Sequence, residues 1–430
     1  MMAHVDQLVG SYRAWAANGA SGAPDWLRDL REGGIARFHE LGFPNMKQEA
    51  WRFTSVAPIA EGSFELAKAP QKVPTLEEIQ PFLLFETGHR LVFVDGFFQR
   101  SLSMPFFDDV QSLARVATEH PDLVRQHLGK YAASENRPFS ALNTAFVNDG
   151  ALVHVPAKAA VEFPIQLLFL ATGGKPVVSH PRNLIVVDRE ARASIVETYA
   201  ALDDGAYWTN AVTEIVLGDG ARVDYHRVQQ ESSRAYHVAT TQSHQGRDST
   251  LNLHFVAFGG RLARHDIGAV MAGPGGTLIL NGLYLLGGQQ HADHHTTIDH
   301  AADHCESHEY FNGVLDEKSR GVFTGRIIVR PGAQKTDSKQ TNNNLLLSAD
   351  AHADSQPQLE IYADDVKCTH GSTVGPLDPR ALFYLRSRGM GEDEARRLLT
   401  YGFAAEILGR MGVVSLRAEL DRIVRVRLAA

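Results

Sequence analysis

Cysteine is scarce in this 430-residue chain, with Cys305 and Cys368 the only two. Two cysteines cannot build a disulfide framework, and the first residues, Met1-Met-Ala-His-Val-Asp-Gln, lack the basic segment and apolar run of a signal peptide. The expectation is a reducing, cytoplasmic setting in which both are thiols. No apolar run approaches the roughly 20 residues that span a bilayer, so no membrane association is expected. Basic charge is in deficit as well: 42 Lys and Arg against 50 Asp and Glu leave a formal net charge of -8, which disfavours binding to nucleic acid. Nucleotide and hydrolase motifs are missing. Gly173-Gly-Lys-Pro has the wrong spacing for a phosphate loop and Pro176 removes a donor; no Gly-x-Ser-x-Gly elbow or His-Glu-x-x-His pair occurs. If ATP drives the work of this protein, another subunit supplies the nucleotide site.

What is present falls into three parts. Residues 1–150 are mixed. Helical spacing of Leu8, Tyr12 and Trp15, then of Trp26, Leu27, Leu30 and Ile35 after Gly22-Ala-Pro24, predicts two amphipathic helices between Val5 and Leu41. Trp51 and Phe53 are packing anchors. Leu91-Val-Phe-Val-Asp-Gly-Phe-Phe predicts a strand, an Asp-Gly turn and a return strand, and a helical stretch follows from about Asp108 to Leu128. Residues 151–376 change character, with short β-like runs punctuated by Asp188-Arg-Glu-Ala-Arg, Gly218-Asp-Gly-Ala-Arg, Gly246-Arg-Asp-Ser-Thr and Gly273-Pro-Gly-Gly-Thr at intervals of roughly 27 to 30 residues. Leu251, Leu253, Phe255 and Ala257 alternate with Asn252 and His254. Stacking such units gives every inner face a partner and pairs every strand edge except at the two ends, which argues for a β-solenoid or an elongated sandwich. Residues 377–430 return to helical spacing over Ala381–Ser387, Glu392–Met411 and Leu416–Leu428, a cluster that could cap a solenoid.

Two places could carry metal or sulfur chemistry. In an extended strand, Cys368 and His370, two residues apart, project to the same face, a thiol beside an imidazole, with Thr369 facing away. Thiolate suits sulfur and iron, and neutral imidazole suits iron, but two ligands are too few for a cluster that wants four. The second place is His291 to His308, with seven candidate nitrogen or sulfur ligands in eighteen positions. In a strand, His291, Asp293 and His295 share one face, and His294 is a further candidate ligand. Either this stretch binds metal, or it is a polar coil whose imidazoles bond to neighbouring strands.

The segment Leu359-Glu-Ile-Tyr-Ala-Asp-Asp-Val-Lys-Cys-Thr-His-Gly-Ser-Thr-Val-Gly375, followed by Leu382-Phe-Tyr-Leu-Arg-Ser-Arg-Gly-Met390, resembles the SufB/SufD family of iron-sulfur cluster assembly proteins, and within it the SufD branch. Pro44–Thr54, Phe139–Pro156, His300–Ser307 with Tyr310 and Gly313, and Gly325–Asp337 are similar to other family segments, so the resemblance reaches from Pro44 to Leu408. It implies a right-handed parallel β-helix core flanked by N-terminal and C-terminal helical regions. It also implies a non-catalytic scaffold subunit, partnered by a SufB-like protein and a SufC-like ABC-type ATPase, with a homodimer when isolated. By matching motifs, Cys368 and His370 take the SufD positions at the SufB interface, where iron or a nascent cluster is held transiently and reduced flavin is a possible participant. Leu382, Tyr384, Arg386, Arg388, Gly389 and Phe403 fall in the region that resembles the SufC docking surface. Gln334, Lys335 and Asp337 are either interface residues or solvated coil groups. Asn342 stands about where the SufB branch carries its assembly cysteine, so the chain is not expected to assemble a cluster alone. Two rivals are a β-helix enzyme acting on polysaccharide, of the exported type, and a stand-alone homodimeric metal-binding protein.

Overall fold

The fold was analysed in a computed structural model that describes residues 2–19, 23–84, 88–104 and 110–429. Gly22, at the break between the first two predicted helices, and Asp108, at the start of the predicted helical stretch, lie outside the described residues.

The repeat seen in the sequence is a repeat of corners. Lys158, Glu190, Gly220, Asp248, Gly275, His304 and Lys335 all take the left-handed backbone conformation, with φ between 52° and 74°. Only two of them are glycine, although left-handed backbone costs other residues roughly 1–2 kcal/mol. A hydrogen-bond ladder offsets that cost: the N–H groups of Glu190, Gly220, Asp248, Gly275, His304 and Lys335 donate to Asp219, Arg247, Pro274, Asp303, Gln334 and Asp365, each on the next coil. From Glu190 onward the residue after each corner is small and buried, as at Ala191, Ala221, Ser249 and Cys305. Cys305 is therefore a corner-packing residue. Burial pushes its thiol up, and its Sγ lies 3.4 Å from the Gly273 carbonyl oxygen.

Each corner joins two strands, and eight such coils stack into a β-solenoid, from Ala151–Val155 with Ile165–Ala171 to His352–Ile361 with Lys367–Gly375. First strands pair in parallel with first strands and second with second, so the column has two sheets facing each other. The alternation of Leu251, Leu253, Phe255 and Ala257 places these four inside, within one apolar cluster that runs along the column.

The outer faces are covered separately. Helices Met2–Gly19, Asp25–Leu41 and Pro138–Ala145 lie over the first sheet, where Phe38, Trp51 and Phe139 pack with Trp208, Val238 and Leu262. Helices Glu392–Leu408 and Val414–Ala429 lie along the second, with Ile407, Leu408, Leu416 and Leu420 against Val228, Val256, Leu283 and Val314. Burying each such side chain stabilises by about 1.5–3 kcal/mol, which fixes the tail to the flank. The tail is thus not a lid on the column's end. Its apolar stripe needs an apolar surface, and the flank supplies one.

The two ends differ. At the first, His89–Val94 joins Phe97–Phe98 through Asp95 and Gly96, both left-handed as a tight hairpin requires, and Val110–Ser112 pairs antiparallel with Ala151–Val155. At the other end, among the described residues, no strand pairs with His352–Ile361 or Lys367–Gly375 on their outer sides. No described helix is long and apolar enough to cross a membrane.

Candidate functional site at the last coil

Toward its unpaired end the interior of the column changes from apolar to polar. Leu278 pairs in register with Ser307, Ser307 with Ser338, and Ser338 with Cys368. In the neighbouring file Leu280 is followed by Glu309, Gln340 and His370, and in the third Gly282 by Phe311, Asn342 and Ser372. Cys368 packs against the internal apolar cluster, and Ser372 Oγ donates to Ser355 Oγ across the column at 2.8 Å. His370 lies between them on the same strand face, so it too points into the column, and it is exposed because no ninth coil follows.

Hydrogen bonds tie these files together. His300 Nε2 lies 2.9 Å from Ser307 Oγ, and Ser307 Oγ 2.7 Å from Ser338 Oγ, directly beneath Cys368. Gln340 Nε2 donates to Glu309 Oε2 at 2.6 Å. Asn342 is fully buried and donates to the Tyr284 hydroxyl at 3.2 Å. Burial pushes the Cys368 thiol up, and the Asp337 carboxylate adds to the effect. The thiol is therefore protonated at neutral pH, and any metal bound through this sulfur would have to displace that proton. Gln334 and Lys335 are committed to the next corner: the Gln334 side chain accepts from the Asp365 N–H at 2.9 Å, and Lys335 pairs with the Asp365 carboxylate.

The His291–His308 stretch spans the sixth coil, and its ligands scatter. His291 Nε2 is 2.9 Å from Thr54 Oγ1. Asp293 accepts from Thr54 at 2.5 Å and from Arg264 Nη1 at 2.6 Å, and its other oxygen lies 3.2 Å from His295. Trp51 covers the Arg264 guanidinium with its ring centroid 3.7 Å away. His294 faces inward, stacked on Tyr284 at 5.1 Å, and burial lowers it to about 4. His291, Asp293 and His295 do share a face, but that face is occupied by the segment carrying Trp51 and Thr54. No group of three or more His, Cys, Asp or Glu side chains among the described residues could hold a metal ion. Cys368 and His370 likewise make an incomplete set.

Helix Pro379–Ser387 follows the last coil, started by Asp378, whose side chain accepts from the Arg380 N–H at 2.9 Å. It buries no residue. Tyr384 is exposed, with Arg388 stacked over its ring at 5.2 Å, Leu382 is half-buried, Arg386 pairs with Glu392 at 3.2 Å, and Gly389 takes φ 90° to end the helix. Phe403 departs from this group: it packs against the second sheet's flank cluster. Phe383, which sequence reasoning passed over, is the most exposed large apolar side chain described, at 74%. It falls one residue out of phase with the helix stripe, which is the signal that could have found it.

A second charged cluster is fully enclosed in the column: Arg227 lies 3.0 Å from Glu197, whose oxygens also accept from Thr213, Tyr199 and Tyr225. Its carboxylate is satisfied on all sides, so it holds the fold and offers nothing to a ligand.

The comparisons with known proteins cover nearly the whole chain. The profile of the SUF system FeS cluster assembly SufBD core domain matches residues 169–403, and that of the SufBD protein N-terminal region matches residues 2–167. An iron-sulfur cluster assembly SufBD family protein of Synechocystis is 35% identical over 416 residues, covering 93% of this chain and 91% of that one. The iron-sulfur cluster assembly protein SufD of Escherichia coli is 32% identical over 85% of each chain, and SufD of Bacillus subtilis is 27% identical over 93% of this chain and 94% of its own. The chain belongs to the SufBD family of iron-sulfur cluster assembly proteins.

Proposed function

We propose that the chain is the SufD-type scaffold subunit of a SufB–SufC–SufD assembly, cytoplasmic and without a catalytic step of its own. The observation that carries this reading is the bare eighth coil, which presents two unpaired strand edges and, inside them, Cys368 beside His370. An exposed sheet edge is a template for another chain's strand. A SufB-like solenoid continuing the column there would bring its own ligands over the two already present, completing a site for iron and sulfide, which are cargo here. Asn342 supports the division of labour, since a buried amide bonded to Tyr284 stands where a SufB-type chain offers a thiol. The SufC-like ABC-type ATPase then sits on the exposed helix Pro379–Ser387, through Phe383, Tyr384 and Arg388. Family membership removes the ground from the polysaccharide-acting alternative. Without its partner, the same edge pairs with a second copy.

Copurification from the native organism tests the assembly: a SufB-like chain and an ATPase should accompany this subunit. Within that complex, His370→Ala should lower iron or cluster content, while Cys368→Ala leaves folding nearly intact. Iron content equal to the parent's in the His370→Ala complex would count against the site.

A further inference from the structure

Glu309, Gln340 and His370 occupy successive register-paired positions on the sixth, seventh and eighth coils, all facing into the column. The Gln340 amide nitrogen is committed downward to Glu309 Oε2 at 2.6 Å. Its oxygen is buried and has no partner among the described residues. A buried acceptor left unpaired costs roughly 1–3 kcal/mol. Gly325, across the column, gives the amide its room: a Cβ there would lie 2.3 Å from Gln340 Nε2. Adjacent strands are about 4.8 Å apart, within reach of a hydrogen bond between side chains paired in register. The side chain paired with Gln340 on the open side is the His370 imidazole.

Resting on the site reading above, we propose that Gln340 and Glu309 are positioning residues for His370: Glu309 orients the Gln340 amide, whose oxygen, unpaired in this structure, accepts a hydrogen bond from the His370 ring once a change of rotamer turns the imidazole inward. That bond fixes one imidazole tautomer and leaves the lone pair of the other ring nitrogen facing the open end, ready for iron. Metal-binding histidines need such a partner to hold ring and tautomer. Burial raises Glu309 to about 7, and in either protonation state it keeps an oxygen that can accept from Gln340.

The test uses the full chain labelled with ¹⁵N-histidine, with the His370 imidazole signals identified by their loss in His370→Asn. The parent should show a single His370 tautomer. Gln340→Met should release it to the mixture of a free imidazole, Glu309→Leu should do the same, and Glu309→Gln should retain the single form because the new amide still offers an oxygen. Identical His370 signals in the parent and in folded Gln340→Met would overturn the proposal. Should Gln340→Met fail to fold, the parent spectrum decides, and a tautomer mixture there overturns it. In the assembled complex, Gln340→Met should weaken iron retention by about 10-fold or more, with Glu309→Gln near the parent. A single His370 tautomer together with unchanged iron in His370→Ala would leave this contact standing and remove the site reading instead.

Discussion

Asp293 has given up its water for Arg264, Thr54 and His295. Burial alone would push its carboxyl up, but the Arg264 guanidinium beside it wins and holds it well below the usual carboxylate range. Removing one partner of a buried pair leaves the other charged and unpaid, at a cost of about 3–5 kcal/mol. Asp293→Ala should therefore destabilise the chain by that amount in urea unfolding, since Arg264 would keep only the half-buried Asp266 as an ionic partner; a loss under about 1 kcal/mol would show the pair to be dispensable. The residues of this coil were legible in the sequence as a cluster of imidazoles, and their strand faces followed from alternation. Their partners were not, because Thr54 lies 239 residues before Asp293 and nothing local announces it. Cys368 beside His370 was legible from spacing alone, whereas Gln340 and Glu309 beneath them needed the register of three coils.

The elements show why the corners were half visible. Glycine marks Gly220 and Gly275, but Glu190, His304 and Lys335 adopt the same conformation with side chains that give no hint of it, held by the amide of the next coil. A ladder that spans coils can impose a conformation that local preference opposes. The last coil carries the prediction at this scale. Tyr362 and Val374 flank the bare edges and are 61% and 48% exposed. Lysine on an edge discourages strand pairing. Tyr362→Lys with Val374→Lys should elute as a monomer at concentrations where the parent is a dimer, with the same melting temperature; a parent that is monomeric throughout would refute pairing through this edge.

At the scale of the whole molecule, burial holds six imidazoles neutral: His180 and His226 at about 3, His254, His294 and His300 at about 4, and His265 well below its ordinary value. Each has a folded value below its unfolded one of about 6.5. Their contribution to stability is thus present above pH 6.5 and lost as pH falls toward 4, by up to about 1.4 kcal/mol per pH unit for each. Glu309 and Asp149, both raised by burial, act in the opposite sense but are outnumbered. The urea midpoint should be clearly lower at pH 5 than at pH 7.5, and an equal midpoint would contradict this balance. The β-solenoid core and the helices at both ends of the chain were readable from changes in hydrophobic period. The seat of the C-terminal helices was not, because their stripe says only that they need an apolar surface, and the column offers that along its side.

The inequality of the two ends limits what the molecule can become. One terminus finishes in strands of two and three residues, Phe97–Phe98 and Val110–Ser112, too short to recruit another chain, so elongation has a single growing point. Joining any second solenoid there consumes it, and a filament cannot start. A lesion that peeled away those short strands would create a second growing point and open the column to growth from both ends.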